Sequence, residues 1–346
     1  MKTYQFRIKD STSRRKLNEL ASKVNFVWNF CRESQLWAKS RSRKYLSSFD
    51  LQKLTSGASK ELGLNSVSIQ ATCERYSESS IQHRKLAKWR SYKKNLGWIP
   101  FKTNIKVNKN KLIFQNIQLK FWKSRDIQGK IKCGSFSCDA QGHWFVNITT
   151  DHISDVIASD GEVGIDLGSK KLATLSNGVE YNNPKCYRKY EQKLSKLHKA
   201  KKKKQITKIH AKIKNSRNDY IHKITTEIAN NNKFIVIGDI RSKRLAKTKM
   251  AKSVNDAGWF LFKTLLRYKA IERGSKCLVV NEKNTTRVCH VCGCISDNSP
   301  KGLSGLKIRE WQCNDCGTIH DRDVNASRNI LALGHKSLTN KQHKAV

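Results

Sequence analysis

A two-part α/β fold is what this sequence predicts, and three observations carry the prediction. An opening stretch of alternating apolar and polar residues is taken up again by a run of short strands between 97 and 150. From about residue 160, strands and helices follow one another in a particular order. Two Cys-x-x-Cys pairs then stand twenty residues apart, immediately before an acidic run.

In the first part, Tyr4, Phe6 and Ile8 alternate with Gln5 and Arg7, so MKTYQFRIKD reads as a short strand with one buried face. The period then changes. Across 13–40, Leu17, Leu20, Val24, Val27 and Cys31 share one helical face. Trp28, Phe30 and Trp37 lie off that stripe and are expected to pack against neighbouring helices. A second helical block is expected over 67–95, with Ser66 as its N-cap and Ile69, Cys73, Tyr76, Ser80 and Leu86 on one side. GWIPFKTNIKV, KLIFQNIQLKFW, GKIKCGSFSC and HWFVNITT read as strands separated by Asn-Lys, Gly-Lys and Gln-Gly turns. With the first strand they suggest a small β-barrel or sheet, into which the helices are inserted.

In the second part, GEVGIDL and KKLATLSN make a hairpin around Gly168 and Ser169, and GVEY adds a third strand. Residues 187–232 hold no Pro or Gly and are crowded with Lys. They read as a long basic helical hairpin turning near Asn215. KFIVIGDI is a continuous apolar run, as a parallel strand buried on both faces should be. A helix over 251–274, a strand in KCLVVNE and a closing helix in NASRNILAL follow, and the tail after Gly334 is expected to fray. Three-strand meander, helix, buried strand, helix, strand and a last helix headed by Asp is the ribonuclease-H-like layout.

Charge indicates the partner. The 346 residues include 69 Lys and Arg against 27 acids, a formal net charge of +42. Such an excess repels itself unless a polyanion is present, and nucleic acid is the expected one. The N-terminus lacks the apolar core of a signal peptide, and no window of about twenty apolar residues occurs, so a cytoplasmic protein without a membrane partner is expected. In that compartment eleven cysteines are not expected to form disulfides.

Four of those cysteines have a better use. Cys289, Cys292, Cys313 and Cys316 give C-x2-C-x20-C-x2-C, two tight turns that together offer four thiolates in the tetrahedral arrangement zinc accepts. Gly293 and Gly317 follow the pairs where the turn favours positive φ. Cys294 leaves open a swap with Cys292. With all positions filled by sulfur, such a zinc is structural, and the chemistry must lie elsewhere.

The ribonuclease-H-like layout brings acids from the first strand, the fourth strand and the last helix to one end of the sheet. Carboxylates there can hold two Mg²⁺ ions about 4 Å apart. Asp166 ends the first of these strands, and Asp323 heads the last helix, with Asp321 left as a loop or capping acid. The middle position is difficult, because the fourth strand ends Ile-Val-Ile-Gly-Asp and Gly238 stands where an acid is needed. Asp239 is next in line, but successive side chains point to opposite faces, so only a bulge could re-aim it. Glu282, at the end of the next strand, is the preferred third ligand. Asp239 remains the alternative, and an inactive site is the third possibility.

GIDLGSKKLATLSNG, FIVIGDI, TTRVCHVCG, REWQCNDCG and DRDVNASRNI together resemble TnpB (OrfB), the insertion-sequence family similar to type V CRISPR effectors. The resemblance is strong over 160–332 and looser before. It implies a RuvC nuclease domain (156–284 and 319–334), a zinc ribbon (285–318), a wedge-like β domain (1–10 and 96–155), a helical recognition domain (11–95) and a polar tail (335–346). It further implies an RNA-guided DNA endonuclease with a guide RNA and double-stranded target DNA as partners, a monomer with its RNA, bacterial and nucleoid-associated. Structural Zn²⁺ and catalytic Mg²⁺ or Mn²⁺ would be its ions, and Asp166, Glu282 and Asp323 its catalytic acids. In the commonest family pattern the middle acid is a Glu at the position of Gly238, so this chain is a variant with a relocated acid. A guide-directed binder without nuclease activity, a transposase proper and a zinc-stabilised DNA-binding protein are the competing readings.

Overall fold

The computed structural model describes residues 1–342 apart from 10–12, 43–44, 92–96, 154–155, 241–244, 246, 249 and 303. Two compact units, Met1–Ile153 and Ser154–Val346, divide the chain. Among the described residues, no helix is long and apolar enough to cross a membrane.

In the first unit, β1 (Lys2–Arg7) opens an antiparallel sheet of order β1-β7-β6-β2, in which β2 is Trp98–Phe101, β6 Ile131–Cys138 and β7 Trp144–Thr150. Tyr4, Phe6 and Ile8 are buried, as their alternation requires. β3 (Lys106–Asn108), β4 (Lys111–Phe114) and β5 (Ile117–Lys120) form a second antiparallel sheet, joined to the first strand by a bridge between Ile8 and Phe121. Phe101, Phe114 and Phe136 pack ring against ring, with centroids 5.1 to 6.2 Å apart. The helices contribute to the same core, so strands and helices form one packed body here.

α1 (Ser13–Ser42) buries the expected stripe and Trp28 with it. Phe30 and Trp37 do not join the core: both are exposed, and Trp37 is covered by the Arg41 guanidinium 3.9 Å above its ring. α2 (Ser48–Leu54) and α3 (Ala58–Leu62) occupy a stretch to which the sequence pattern assigned no element. A capping box between Ser47 and Asp50 is the local reason α2 starts where it does. α4 (Ser66–His83) is shorter than the expected 67–95 because Arg84 turns left-handed at φ 47°. Residues 92–95 of that expected block lie outside the described residues. Its cap is Asn65, whose side chain accepts from the Val67 N–H, and Ser66 is already helical.

In the second unit a five-stranded sheet has the order β10-β9-β8-β11-β12. β8 (Gly161–Leu167), β9 (Lys171–Leu175) and β10 (Glu180–Asn182) are the antiparallel meander, and β11 (Asn232–Gly238) and β12 (Lys276–Val280) run parallel to β8. The basic hairpin turns at Ala200–Lys202, between α5 (Glu191–Lys199) and α6 (Lys203–Asn231), and not at Asn215. Lys201 takes the left-handed conformation at φ 51°, and Leu194 meets Ile209 and Ile213 across the turn. Asn215 is an exposed residue inside α6. The helix expected over 251–274 is two, α7 (Ala251–Ala257) and α8 (Trp259–Glu272), broken at Gly258 with φ 69°. α6 and α8 cover one face of the sheet over Ile165, Ile235 and Ile237.

The other face belongs to α9 (Arg322–Gln342), which packs over Phe234, Val236 and Val280 through Ile330. The helix does not fray at Gly334. It runs through that glycine to Gln342, over most of the stretch expected as a polar tail; 343–346 lie outside the described residues. A Cβ at Gly334 would stand 2.3 Å from Val236 Cγ2, so glycine there permits close approach of helix to sheet and does not end the helix. β13 (Glu310–Gln312) and β14 (Ile319–Asp321) pair as a separate small ribbon beside the cysteines.

Candidate functional site

β8, β11 and β12 finish side by side, with Ile237 paired to Ile165 and Gly238 to Val280. Because side chains alternate, Gly164 and Asp166, Val236 and Gly238, and Val280 all belong to the face under α9. Glu282 lies two residues beyond Val280. A Cβ at Gly238 would stand 2.8 Å from Glu282 Oε2 and 3.0 Å from Ile330 Cδ1. The Glu282 carboxylate thus fills the room that the missing side chain at 238 leaves.

Asp323 enters the same corner from the first turn of α9, where it is only 8% exposed. Its carboxylate is held by Arg309 Nη1 at 2.9 Å and by Arg322 Nη2 at 3.1 Å. Asp321 caps the helix, its Oδ1 accepting from the Asp323 N–H (2.9 Å) and the Val324 N–H (2.8 Å). Asp239 is the next residue along and so has the opposite parity; its carboxylate pairs at 2.9 Å with Lys263 of α8, while remaining near enough for its charge to act on Glu282.

The electrostatics report how near these acids are. Burial pushes the Asp166 carboxyl well above its ordinary range, and the charges of Glu282 and then Asp323 push it further, with Arg322 opposing. Glu282 is also raised, by burial first and Asp239 second, against Lys263. A carboxyl raised in the folded state keeps its proton there after the unfolded chain has lost it. Stability without a divalent cation therefore falls as pH climbs from the ordinary carboxyl value of about 4 through the raised one. Asp166→Asn removes that liability. Its melting temperature relative to the parent should rise with pH between 4 and 8 in magnesium-free buffer, and a constant difference across that range would contradict the account.

Cys289, Cys292, Cys313 and Cys316 come together with their sulfurs within 4.8 Å of one another. They are the only such group of Cys, His, Asp or Glu side chains among the described residues. The Cys289–Cys316 and Cys292–Cys313 sulfurs are 3.6 and 3.7 Å apart. A tetrahedron with metal–sulfur bonds of about 2.3 Å has edges of about 3.8 Å, so the set fits a single ion. Gly293 and Gly317 have φ of 78° and 70°. Cys294 stays outside the group, exposed, its carbonyl accepting from the Cys289 N–H and its thiol facing the Cys292 carbonyl at 3.9 Å.

Two features of this region were not read from the sequence. His320 is buried on β14 with Nε2 3.0 Å from Cys289 Sγ, placed to donate to a thiolate. Asn325, 1% exposed, binds the first cysteine turn to α9: its Nδ2 donates to the Val288 carbonyl (2.8 Å), and its Oδ1 accepts from the His290 N–H (3.0 Å). Asn329 Nδ2, one turn on, donates to the Thr285 carbonyl at 2.8 Å. A buried histidine near a Cys pair, and Asn at i and i+4 of the closing helix, were the available signals.

Comparison with known proteins agrees with this architecture. Residues 146–249 match the OrfB_IS605 family, described as "Probable transposase", and residues 259–330 match the "Cas12f1-like, TNB domain". The protein in the "Cryo-EM structure of the Cas12f1-sgRNA-target DNA complex" superposes with a TM-score of 0.62 at 14% identity, covering 92% of this chain and 82% of its own, a likeness of fold alone. Two successive parts of the chain thus match models drawn from OrfB-type chains and from a Cas12f1-like cysteine domain. The resemblance to TnpB read from the sequence holds. A "Putative RNA-guided DNA endonuclease" of Streptomyces pristinaespiralis is 35% identical over 213 residues, 57% of this chain and 52% of its own. "Putative RNA-guided DNA endonuclease InsQ" of Escherichia coli K12 is 32% identical over 250 residues, 64% and 61% of the two chains. More distant relatives carry the name TnpB-like protein. The chain spans between half and two thirds of the length of these first two relatives.

Proposed function

We propose that this chain is the RNA-guided DNA endonuclease of a transposable element, acting in the bacterial cytoplasm on nucleoid DNA as a monomer with its guide RNA. The observation that carries the reading is that Asp166 and Glu282 share one sheet face while Asp323 approaches from the start of α9, near enough for both charges to act on Asp166 though not gathered as tightly as the cysteines, with Gly238 giving way to the Glu282 carboxylate. On this reading 156–284 with 319–334 is the RuvC-like nuclease domain and 285–318 the zinc ribbon. Residues 1–10 with 96–155 are wedge-like, and 11–95 form the recognition part. The +42 charge suits a guide and a heteroduplex, whose sequence the protein need not read itself.

Asp166, Glu282 and Asp323 would hold Mg²⁺ or Mn²⁺. Their hard oxygens suit such ions, and the mutual repulsion that raises Asp166 is relieved by positive charge. When bound, paired cations supply an activated water and a stabilised leaving oxygen. The chain's own groups do the rest. Arg309 and Arg322 neutralise Asp323, and Asn325 fixes the start of α9 against the cysteine turn. The four thiolates would hold Zn²⁺ in a closed set, with no position left for substrate.

Gly238, standing where the usual acid is expected, favours a second reading, a guide-directed DNA binder that does not cut. Sequencing RNA that copurifies with the chain, then offering matching DNA with Mg²⁺ or Mn²⁺, separates the two. Cleavage confined to matched DNA supports the nuclease, and intact bound DNA supports the binder. Asp239→Ala belongs in the same assay. Its carboxylate is held by Lys263 and reaches Glu282 only through its charge, so cleavage should fall by no more than about fivefold, the scale of a lost exposed ion pair, far less than for loss of a ligand.

A further inference from the structure

In the first unit the segment after α4 runs along α1, fixed by side chains of that helix. Trp28 Nε1 donates to the Lys88 carbonyl (3.1 Å) and Arg32 Nε to the Ala87 carbonyl (2.8 Å). The Asn29 amide takes both backbone groups of Arg90: Nδ2 donates to its carbonyl and Oδ1 accepts from its N–H, each at 2.8 Å. So secured, Arg90 lays its guanidinium 3.7 Å over the Trp28 ring and 5.0 Å from that of Trp98. These three residues, with Arg75, Ser79, Gln82 and His83, line a cavity of about 370 Å³.

Among the described residues no acid lines this cavity. Among the described residues the Arg90 guanidinium has neither a hydrogen-bond partner nor a carboxylate, and Arg75 has only Glu78, at 3.3 Å on the exposed rim. Burial, and then the charge of Arg75, lower the Arg90 pKa to about 10. A half-buried guanidinium stacked on Trp28, with Trp98 nearby and no anion at its edge, is an expensive arrangement for a free protein. Its edge N–H groups form the fork that fits a phosphate, and an indole beside a phosphate site offers a base a surface to stack on.

We propose that this cavity binds one nucleotide unit of a nucleic acid strand, its phosphate on Arg90 and Arg75 and its base against Trp98. Ser79, Gln82 and His83 are the other polar side chains of the lining and would meet the base edge. The site belongs to the first unit and stands whether or not the acids of the second unit cut.

The test is ultraviolet crosslinking of the full chain with its copurified RNA, and separately with added single-stranded DNA, followed by peptide mass spectrometry. A mononucleotide adduct on the Trp98 peptide is expected, and its mass tells ribose from deoxyribose. Arg90→Gln should cut the adduct yield and weaken binding of a labelled mixed-sequence strand about tenfold, as loss of a bidentate phosphate contact does. Arg90→Lys should not rescue it. Melting temperature separates binding from support, because removing an uncompensated buried charge leaves it unchanged or higher, whereas removing a structural strut lowers it. Should Arg90→Gln fold poorly, the rim variant Arg75→Gln serves and should weaken binding about threefold, a lost exposed phosphate contact. Adducts elsewhere in the chain but none at Trp98, or Arg75→Gln binding unchanged, overturns the proposal.

Discussion

Glu282→Ala is expected to lower guide-directed DNA cleavage by about a thousandfold, the equivalent of about 4 kcal/mol of lost transition-state stabilisation, while bound RNA is retained. The reason is positional. Gly238 leaves a vacancy under Ile330, and the Glu282 carboxylate fills it from the neighbouring strand. Two companions make the expectation sharper. Gly238→Ala alone puts a Cβ 2.8 Å from Glu282 Oε2 and moves the carboxylate without removing it, so a loss of about tenfold is expected. Gly238→Glu in the Glu282→Ala background returns a carboxylate to the vacated volume from the other strand and should recover a large part of the cleavage. If Glu282→Ala cuts DNA as well as the parent, the third ligand is elsewhere and this assignment fails.

Cys313→Ser should remove the bound zinc, about one ion per chain by elemental analysis, and disorder the segment between Thr285 and Asp321. Structural four-sulfur zinc sites contribute about 10 kcal/mol or more of apparent binding energy, as much as the whole stability of many domains. The damage should not stay local. Asn325 and Asn329 tie α9 to the Thr285–His290 turn, and Asp323 is two residues before Asn325. Cleavage should therefore fall together with zinc content, although no cysteine lies among the acids. A strong chelator should act in the same way, and zinc, not magnesium, should reverse it. Full cleavage by a zinc-free Cys313→Ser protein would contradict the coupling.

Much of the layout was legible because it rests on periodicity and spacing. The alternation of Tyr4, Phe6 and Ile8 fixed a strand, the apolar run before Gly238 fixed a strand covered on both faces, and the cysteine spacing fixed the sulfur cluster. The opposite parity of Gly238 and Asp239 is legible in the same way, since it needs only the two-residue repeat of a strand. Elsewhere local chemistry was decided by contacts the pattern does not carry. Asn215 is a weak helix breaker and yields to the apolar seam of Ile209 and Ile213, while Lys201 turns the chain. Phe30 and Trp37 are apolar but face out, because one side of α1 was already sufficient for the core. Gly334 reads as a helix end in sequence and proves to be a contact point with Val236. Asn325 and His320 act through neighbours that are distant along the chain, which a single sequence does not reveal.

Since one volume serves either a side chain at 238 or that of Glu282, exchange of the acid between adjacent strands has a permitted order. On the proposed reading, losing the Glu first would leave two metal ligands and no cleavage. Gaining one at 238 first is tolerable, because the atom it meets is the far end of a flexible side chain that can swing aside. If the acids are the ligands proposed, gain before loss is the less costly order in either direction, and a chain caught midway would carry both acids with one of them displaced.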